Sequence, residues 1–347
     1  MNTWSAAASM GTARSRHSGT LLPNGRVLVA GGDTGGQQTA TAELYDPTTD
    51  TWSPTGALST PRAGHTAIAL ADGSVLVVGG YHQDVFVPAV ERFAPGTGTW
   101  LHAGTVPAPR EAFAAVLLDT GSVLVCGGFD RPGNTDLATC QLFDPGSGTW
   151  AAAASMVDPR YAHLATVLAD GRVLVGGGVN VPNQGGISSA EVYDPASDMW
   201  SAVCPMTQVR QTDDNGRPAQ LRLVSGDVLS VGGYNRVHGV LRTAERYAAG
   251  KGSWTVTSPM TAVREALHTA TLLTAGTVLV VGGLDDNGPV QSAEVYDPAT
   301  ETWSTLPDPG TPRAAHTAVR LADGRVLVAG GVDGTGGTSA SAELFTP

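Results

Sequence analysis

The sequence has little lysine, few aromatic residues and only three cysteines. Lys251 is the only lysine among 20 basic residues, and aromatic side chains make up 6% of the chain. Arginine in place of lysine, beside many Ala and Gly residues, is the composition expected from a GC-rich bacterial genome. An odd number of cysteines is typical of a protein whose thiols stay reduced, so we expect a cytoplasmic protein without a disulfide framework.

Long apolar runs and an excess of positive charge are also missing. Runs such as Val75–Val78 are far too short to span a bilayer, and no basic segment followed by an apolar stretch opens the chain. We therefore expect neither a membrane protein nor a visible secretion signal. The net charge of −11 argues against nucleic acid as a partner, because phosphate binding needs a basic face. The hydrophobic fraction of 41% excludes a disordered chain.

A sevenfold repeat dominates the sequence. Each unit has a tryptophan, an arginine ten residues later, and a Gly-Gly pair that ends a short apolar run. The mean period is about 50 residues. The tryptophans are Trp4, Trp52, Trp100, Trp150, Trp200, Trp254 and Trp303, and the arginines are Arg14, Arg62, Arg110, Arg160, Arg210, Arg264 and Arg313.

Each unit predicts four short antiparallel strands. An apolar strand follows the arginine, and a tight turn such as Asn24-Gly25 leads into a second strand that ends at Gly-Gly. The third strand resembles Ala42–Asp46 and is stopped by a proline, and the fourth contains the tryptophan. No stretch has a sustained helical period. Seven such sheets arranged radially cover each other's faces, so we expect one all-β domain over residues 1–347, a seven-bladed β-propeller.

The repeat register also predicts how the ring closes. Gly-Gly and the next tryptophan are 21 residues apart in units one, two and six. From Gly330 to Pro347 there are 17 residues, and Trp4 lies four further on if counting continues from the first residue. We therefore expect the N-terminal strand, within residues 1–8, to complete the last blade.

Gly-Gly and Trp in seven registered copies, with Tyr-Asp-Pro between them in three, resemble the kelch family over essentially the whole chain. The resemblance implies a propeller whose inter-blade loops and loops after Gly-Gly share one face, the usual ligand face. Kelch relatives include ubiquitin-ligase adaptors, galactose oxidase, sialic-acid epimerases and nitrile-specifier proteins. No cysteine here lies beside a plausible Tyr-His pair for the copper of galactose oxidase, and the iron motif of the nitrile-specifier proteins is not reproduced.

Features that recur in every unit are structural candidates. The arginine recurs seven times, and the third strand has a glutamate in every unit except the third, which has Gln141. One interpretation is an Arg–Glu pair that locks strands together. The other is a cationic ring around the channel mouth, since the resemblance implies that an arginine there contacts acidic ligands. The recurring histidines, such as His65, and the buried-type Cys126 and Cys140 are interpreted as scaffold, with no zinc-ligand spacing.

Residues that interrupt the repeat are the functional candidates, and they cluster in units three to six. Unit five has 22 residues between the arginine and Gly-Gly where most units have 17. The candidate acid–base residues are Glu111, Asp213, Asp214 and Glu265. The candidate ligand contacts are Arg62, Arg110, Arg160, Arg210, Arg264, Tyr81, His82, Phe113, Phe129 and Tyr234. The alternative for the carboxylates is a solvated acidic rim.

The sequence therefore predicts a monomeric binding propeller that holds a small molecule or peptide at an Arg-rich, carboxylate-containing mouth. The first alternative is an isomerase, lyase or cyclase that uses acid–base groups at the same mouth. The second is a protein–protein interaction scaffold. No metal and no cofactor is expected. Neither the ligand nor the reaction can be named from the residues.

Overall fold

The chain folds as a seven-bladed β-propeller of four-stranded antiparallel sheets, which confirms the fold predicted from the repeat. The structure is a computed structural model and describes residues 2–180, 185–211 and 219–347. Every regular element in these residues is a β-strand. Within the same ranges there is no apolar helix long enough to cross a membrane.

Each blade uses its four strands in sheet order, from the first strand after the arginine to the fourth, which contains the tryptophan. The strands of blades 1 to 4 are Ser18–Leu21, Val27–Ala30, Ala42–Asp46 and Thr51–Thr55; Thr66–Ala69, Val75–Val78, Ala89–Ala94 and Thr99–Thr105; Ala114–Leu117, Val123–Cys126, Cys140–Asp144 and Thr149–Ala153; Leu164–Val167, Val173–Gly176, Ala190–Asp194 and Met199–Val203. Those of blades 5 to 7 are Ala219–Arg222, Val228–Val231, Ala244–Ala248 and Ser253–Val256; Thr269–Leu272, Val278–Val281, Ala293–Asp297 and Thr302–Thr305; Thr317–Arg320, Val326–Ala329, Ala342–Thr346 and Thr3–Ala7.

Two-residue strands form small hairpins after Gly-Gly, between the second and third strands of a blade. They pair Asp33–Thr34 with Gln37–Gln38, Tyr81–His82 with Val85–Phe86, Phe129–Asp130 with Thr135–Asp136, Val179–Asn180 with Gly185–Gly186, Tyr234–Asn235 with Gly239–Val240, and Leu284–Asp285 with Gly288–Pro289.

The chain separates into two compact parts, called the first and the second unit below, whereas the seven repeats of the sequence are called blades. The first unit is Met1–Ala108, Thr271–Val295 and Thr305–Pro347, and it contains blades 1, 2 and 7. The second unit is Pro109–Ala270 and Tyr296–Ser304, and it contains blades 3, 4 and 5. The strands of blade 6 are divided between the two.

The core of each unit lies between neighbouring blades. All seven second strands are buried along their whole length because both faces of the sheet are covered. In the first unit Val27 and Val29 of blade 1 pack with Leu327 and Ala329 of blade 7. In the second unit blades 3 and 4, and blades 4 and 5, share clusters of the same kind. Each blade therefore depends on its neighbour for the burial of its apolar face.

The Gly-Gly pair is required by the close approach of the next blade. Gly31 has a φ of 64°, and a Cβ atom built on it would lie 2.6 Å from the Arg62 carbonyl oxygen and 2.8 Å from a carbon of the His65 ring. The backbone N–H of Gly32 donates to the same Arg62 carbonyl at 2.8 Å, so the two blades are hydrogen-bonded at this point. A larger residue at Gly31 would push blades 1 and 2 apart.

The N-terminal strand completes blade 7, as the register predicts. Thr3–Ala7 pairs antiparallel with Ala342–Thr346 and places Trp4 opposite Phe345, with ring centroids 5.1 Å apart. The Trp4 indole N–H donates to the Pro307 carbonyl at 2.9 Å. The same tryptophan-to-aromatic contact recurs in the other six blades.

Deleting residues 1–8 is expected to uncover the edge of the Ala342–Thr346 strand. Exposed edges pair with other chains, so the truncated protein should melt less cooperatively and self-associate. Thermal unfolding and light-scattering size exclusion measure both effects. Trp4→Ala is the matched control, because it weakens packing but leaves the backbone edge covered, and it should lower Tm without association. A truncated protein that is monomeric and melts normally would refute the closure.

Candidate functional site

The seven repeated arginines lie in the interior of the blades. Each is 0–1% exposed. In blade 1 the Arg14 Nη1 group donates to the carbonyl oxygens of Gly31 at 2.8 Å and Thr41 at 2.9 Å. Its Nη2 group donates to Glu43 Oε1 at 2.6 Å. The guanidinium therefore ties together the end of the second strand and the start of the third.

The glutamate extends the same arrangement to the loop that enters the blade. Glu43 accepts the backbone N–H of Gly11 at 2.6 Å and of Thr12 at 3.1 Å, besides its bond to Arg14. Burial lowers the pKa of Arg14, and the Glu43 carboxylate opposes that shift. The pairs Arg62–Glu91 (2.7 Å), Arg160–Glu191 (2.9 Å), Arg210–Glu245 (3.0 Å) and Arg313–Glu343 (2.5 Å) repeat this geometry.

This placement corrects the prediction of an arginine-lined mouth. The side chains proposed as ligand contacts are all buried: Arg62, Arg110, Arg160, Arg210 and Arg264. The terminal nitrogens of the first four donate to carbonyl oxygens inside the blades. The arginines lie inside the blades because the carbonyl oxygens of the Gly-Gly pair and at the start of the third strand are buried there and need hydrogen-bond donors. The strand-locking interpretation fits this geometry.

The repeated histidines lie at the same inter-blade contacts. His65 Nε2 is 2.9 Å from Ser18 Oγ in the preceding blade, and His17 Nε2 is 3.2 Å from Thr317 Oγ1 in blade 7. Burial, with a further contribution from the Arg264 charge, lowers the pKa of His268 to about 3. The described ranges contain no group of three or more His, Cys, Asp or Glu side chains placed to hold a metal ion.

The inter-blade loop and the loop after Gly-Gly lie together in each unit. The residue after the arginine forms a β-bridge with the residue after Gly-Gly, as in Ser15 with Asp33 and Ala63 with Tyr81. In the second unit Glu111 pairs with Phe129 in the same way. We call the surface formed by these two sets of loops the loop face, and consider it separately in each unit.

In the first unit the loop face carries a hydrogen-bonded chain of polar side chains. Arg16 Nη1 donates to Tyr81 Oη at 3.1 Å, and Tyr81 Oη donates to Asp33 Oδ2 at 2.9 Å. Gln38 Nε2 donates to Asp33 Oδ1 at 2.8 Å. All four side chains are partly exposed. Burial raises the pKa of Tyr81 although Arg16 opposes the shift, so the phenol keeps its proton at neutral pH.

Arg16 holds an unfavourable backbone conformation. Its φ of 51° lies in the left-handed region, which costs a residue with a Cβ atom roughly 1–2 kcal/mol. The corresponding positions with positive φ in blades 2, 3, 4 and 7 are Gly64, Ala112, Ala162 and Ala315. Backbone bonds link these positions from blade to blade, with Arg16 N–H donating to Ala315 and Gly64 N–H donating to Arg16.

In the second unit the loop face combines aromatic rings with an ion pair. Phe129 and Tyr161 are in contact, with ring centroids 5.5 Å apart. Glu111 accepts two bonds from Arg131, from Nε at 2.8 Å and from Nη2 at 2.6 Å. Tyr234 is partly exposed on the same kind of loop. This patch offers flat apolar surface beside paired charges.

The remaining predicted residues are placed less uniformly. Phe113 is 3% exposed, which corrects its assignment as a ligand contact: it occupies the buried position that histidine takes in other blades. Glu265 and His82 are partly exposed. Asp213 and Asp214 lie outside the described residues.

Two residues of the first unit were missed by the sequence comparison. Arg16 stands where blades 2, 3, 4 and 7 have glycine or alanine. Asp33 stands where the other blades have Tyr81, Phe129, Val179, Tyr234, Leu284 and Val332. Aligning the units column by column, rather than comparing loop lengths, would have found both.

The opposite ends of the strands carry an open cleft in the first unit. Its volume is about 810 Å³, and it is lined by Asn24, Gly25, Arg26, Asp46, Pro47, Thr48, Leu321, Ala322, Asp323 and Arg325. Its charges are paired locally, Arg26 with Asp46 at 3.2 Å and Arg325 with Asp323 at 2.7 Å. The lining residues belong to turns that recur in other blades, so the cleft is a weaker candidate site than the loop face.

Comparison with known proteins identifies the repeat. The Kelch motif matches residues 14–58, 112–157 and 268–310. The F-box/kelch-repeat protein SKIP20 of Arabidopsis thaliana is 34% identical over 85 residues, which are 24% of this chain and 20% of that protein. The chain is a kelch-repeat β-propeller.

Solved structures share the fold of this kelch propeller. A fungal alcohol oxidase of the AA5 family, in complex with copper, superposes with a TM-score of 0.76 at 16% identity, over 100% of this chain and 76% of its own. The structure of YjhT superposes with a TM-score of 0.67 at 13% identity, over 87% of this chain and 99% of its own. At these identities the likeness concerns the fold alone. The curated relative is matched over about a fifth of its length.

Replacing Glu43 by alanine is expected to lower the free energy of unfolding by about 3–5 kcal/mol, because Arg14 is left buried without its carboxylate. Denaturant unfolding measures the change. Asp170→Ala, which breaks the exposed pair with Arg172, is the control and should cost about 0–1 kcal/mol. Equal effects of the two variants would show that the buried pair does not lock the blade.

Acidification is expected to destabilise the protein through His268. Its folded pKa of about 3 lies below the ordinary histidine pKa of about 6.5, so the unfolded chain takes up a proton first as the pH falls. The stability is complete above about pH 6.5 and is lost as the pH drops toward 3, amounting to about 2 kcal/mol at pH 5. His268→Phe copies the phenylalanine of blade 3 and should remove that part of the loss. Unfolding midpoints at pH 7 and pH 5 that shift equally in both proteins would contradict this.

Proposed function

We propose that this kelch propeller binds a small molecule or a peptide at its loop face, with Arg16, Tyr81 and Asp33 of the first unit as polar contacts. The observation that carries the proposal is the hydrogen-bonded chain of these partly exposed side chains, in which Arg16 Nη1 donates to Tyr81 Oη at 3.1 Å and Tyr81 Oη donates to Asp33 Oδ2 at 2.9 Å. The left-handed backbone of Arg16 belongs to the repeat, since Ala112 and Ala162 hold it too. What sets blade 1 apart is an arginine side chain at a position where glycine would fit the backbone without strain.

The chemistry of these three side chains suits a polar ligand. A guanidinium offers a planar fork of donors that fits a carboxylate, a phenol donates or accepts, and a carboxylate accepts from hydroxyl, amide or ammonium groups. Tyr81 is held between the other two at 3.1 Å and 2.9 Å, so its orientation is fixed before a ligand arrives. Preorganisation of this kind lowers the cost of binding.

The loop face of the second unit supplies further proposed contacts. Phe129 and Tyr234 provide aromatic surface, and Glu111 and Glu265 provide carboxylates. Asp213 and Asp214 stay in the proposal on sequence grounds. Aromatic walls with a few polar groups are the usual lining of ligand sites.

The second candidate function is an enzyme without a redox cofactor, an isomerase, lyase or cyclase. The observation that favours it is the geometry of Tyr81, a phenol hydrogen-bonded between a guanidinium and a carboxylate. Such a phenol can donate a proton to a substrate oxygen as a general acid. Tyr81→Phe separates the two functions, because a binding protein should keep part of its affinity while an enzyme should lose turnover.

The proposal places a monomer in a reducing compartment. Its support is the odd number of cysteines together with the free thiols of Cys126, Cys140 and Cys204.

Arg16→Gly is expected to abolish ligand binding while leaving Tm unchanged or raised, because glycine relieves the left-handed strain. Saturation-transfer NMR with a panel of small carboxylic acids, sugar acids and N-acetylated peptides identifies a ligand, and titration then gives Kd. We expect at least a tenfold weaker Kd in the variant. Arg26→Ala, in the cleft at the opposite ends of the strands, is the matched control and should bind normally.

The same titration with Glu265→Ala and Asp214→Ala tests the second unit. Loss of affinity at unchanged Tm would assign a contact there. A ligand that binds Arg16→Gly as well as the wild type, or that is lost in Arg26→Ala, would overturn the proposed site.

A further inference from the structure

Blade 3 differs from the other blades at the centre of its sheet. Cys126 ends the second strand and stands directly opposite Cys140, the first residue of the third strand. Both are buried, and the chain has only three cysteines. At the same place other blades pair small apolar residues, namely Ala30 with Ala42, Gly176 with Ala190, Val231 with Ala244 and Ala329 with Ala342.

The backbone register suits a bond between the two sulfurs. The Gly127 N–H donates to the Thr139 carbonyl at 3.1 Å, so the adjacent pair is the hydrogen-bonded one and Cys126–Cys140 is a non-hydrogen-bonded pair. Such pairs have Cα atoms about 4.5 Å apart, within the range of about 4.4–6.8 Å that a disulfide spans. The Cys140 thiol donates to the Ala138 carbonyl at 3.5 Å.

Blade 3 also lacks the carboxylate that accompanies the buried arginine elsewhere. Gln141 replaces the glutamate, and its Oε1 atom has no hydrogen-bond partner among the described residues. Arg110 donates only to neutral acceptors in these residues: the Gly127 carbonyl at 3.2 Å, the Thr139 carbonyl at 3.0 Å and Thr139 Oγ1 at 3.3 Å. A buried guanidinium without a counter-charge favours a negative charge nearby.

The two cysteines are the groups that can supply this charge. Burial lowers the pKa of Arg110, and the two cysteines raise it by a smaller amount. The interaction with the Cys140 thiol and burial raise the pKa of Cys126, and the charges of Arg160 and Arg110 oppose that shift. Cys126 Sγ also lies 3.7 Å from His163 Nε2 of blade 4. The resting pair is therefore a dithiol in an unusually cationic interior.

We propose that Cys126 and Cys140 are a redox modification site, at which a small peroxide converts the dithiol into a cross-strand disulfide with Arg110 stabilising the reacting thiolate. This inference does not depend on the proposed ligand site. The oxidant must be small, because both thiols are buried and are reached only when the blade opens locally.

The reaction balances in two steps. One thiolate attacks a peroxide oxygen, the O–O bond breaks, and a sulfenic acid and hydroxide form. The second thiol then attacks the sulfenic sulfur, the S–O bond breaks, and the departing hydroxide takes the thiol proton as water. With hydrogen peroxide, two thiols are oxidised by two electrons in total, and one peroxide is reduced to two waters.

The experiment treats the folded protein with hydrogen peroxide and then blocks free thiols by alkylation. Digestion on the amino side of aspartate separates the two cysteines, because Asp130 and Asp136 lie between them. The expected product is a linked peptide pair two hydrogens lighter than the sum of its parts, with exposed Cys204 alkylated in the untreated sample as the internal control. The disulfide should form equally in Cys204→Ser and be absent in Cys140→Ala.

Gln141→Glu tests the part assigned to Arg110. It restores the glutamate found in the other six blades, so it is compatible with the fold, and it supplies the missing counter-charge. We expect the disulfide to form at least tenfold more slowly in this variant. An equal rate would refute the role of Arg110, and peroxide-treated wild type with no linked peptide, or with Cys204 as the linked partner, would refute the site.

Discussion

The buried guanidinium is the interaction on which the rest of this propeller depends. A charge removed from water costs several kcal/mol unless it is paired and fully hydrogen-bonded. Here the same group holds the carbonyl of Gly31, the carbonyl of Thr41 and the Glu43 carboxylate. Glu43 in turn holds the loop at Gly11 and Thr12. One arginine therefore fixes the entering loop, the end of the second strand and the start of the third, and these segments form the loop face.

This local logic explains why the fold was predictable from the sequence. Gly31, Arg62 and Trp52 are each set by short-range sterics or by pairs at fixed spacing, and the spacing repeats seven times. Spacing left open whether the arginines lie inside the blades or at the mouth, because spacing does not show which way a side chain points. The glutamate that recurs in the third strand was the signal for the interior position, since a buried acid beside a buried base predicts an ion pair rather than a binding surface.

The candidate site was only partly predictable. Exposed residues such as Tyr81 and Glu111 could be placed on the loop face because the repeat locates the loops. Arg16 could have been found by aligning the repeats, because blades 2, 3, 4 and 7 have glycine or alanine at that position. Small residues such as Gly64 and Ala112 gather there because the backbone is left-handed. The hydrogen bond from Arg16 to Tyr81 could not be predicted, because it joins side chains of two blades.

Blade 3 shows that departures from the repeat can be coupled in the core as well as in the loops. In other blades the glutamate binds the arginine and also accepts backbone N–H groups of the entering loop, including the one three residues before the arginine, as at Ser59 in blade 2. In blade 3 that position is Pro107, which has no N–H to offer. A carboxylate there would have lost one of these partners, and Gln141 stands in its place. Neither Pro107 nor Gln141 supplies a negative charge to balance Arg110. The neighbouring thiols of Cys126 and Cys140 are the groups that can do so, because a thiol can lose its proton.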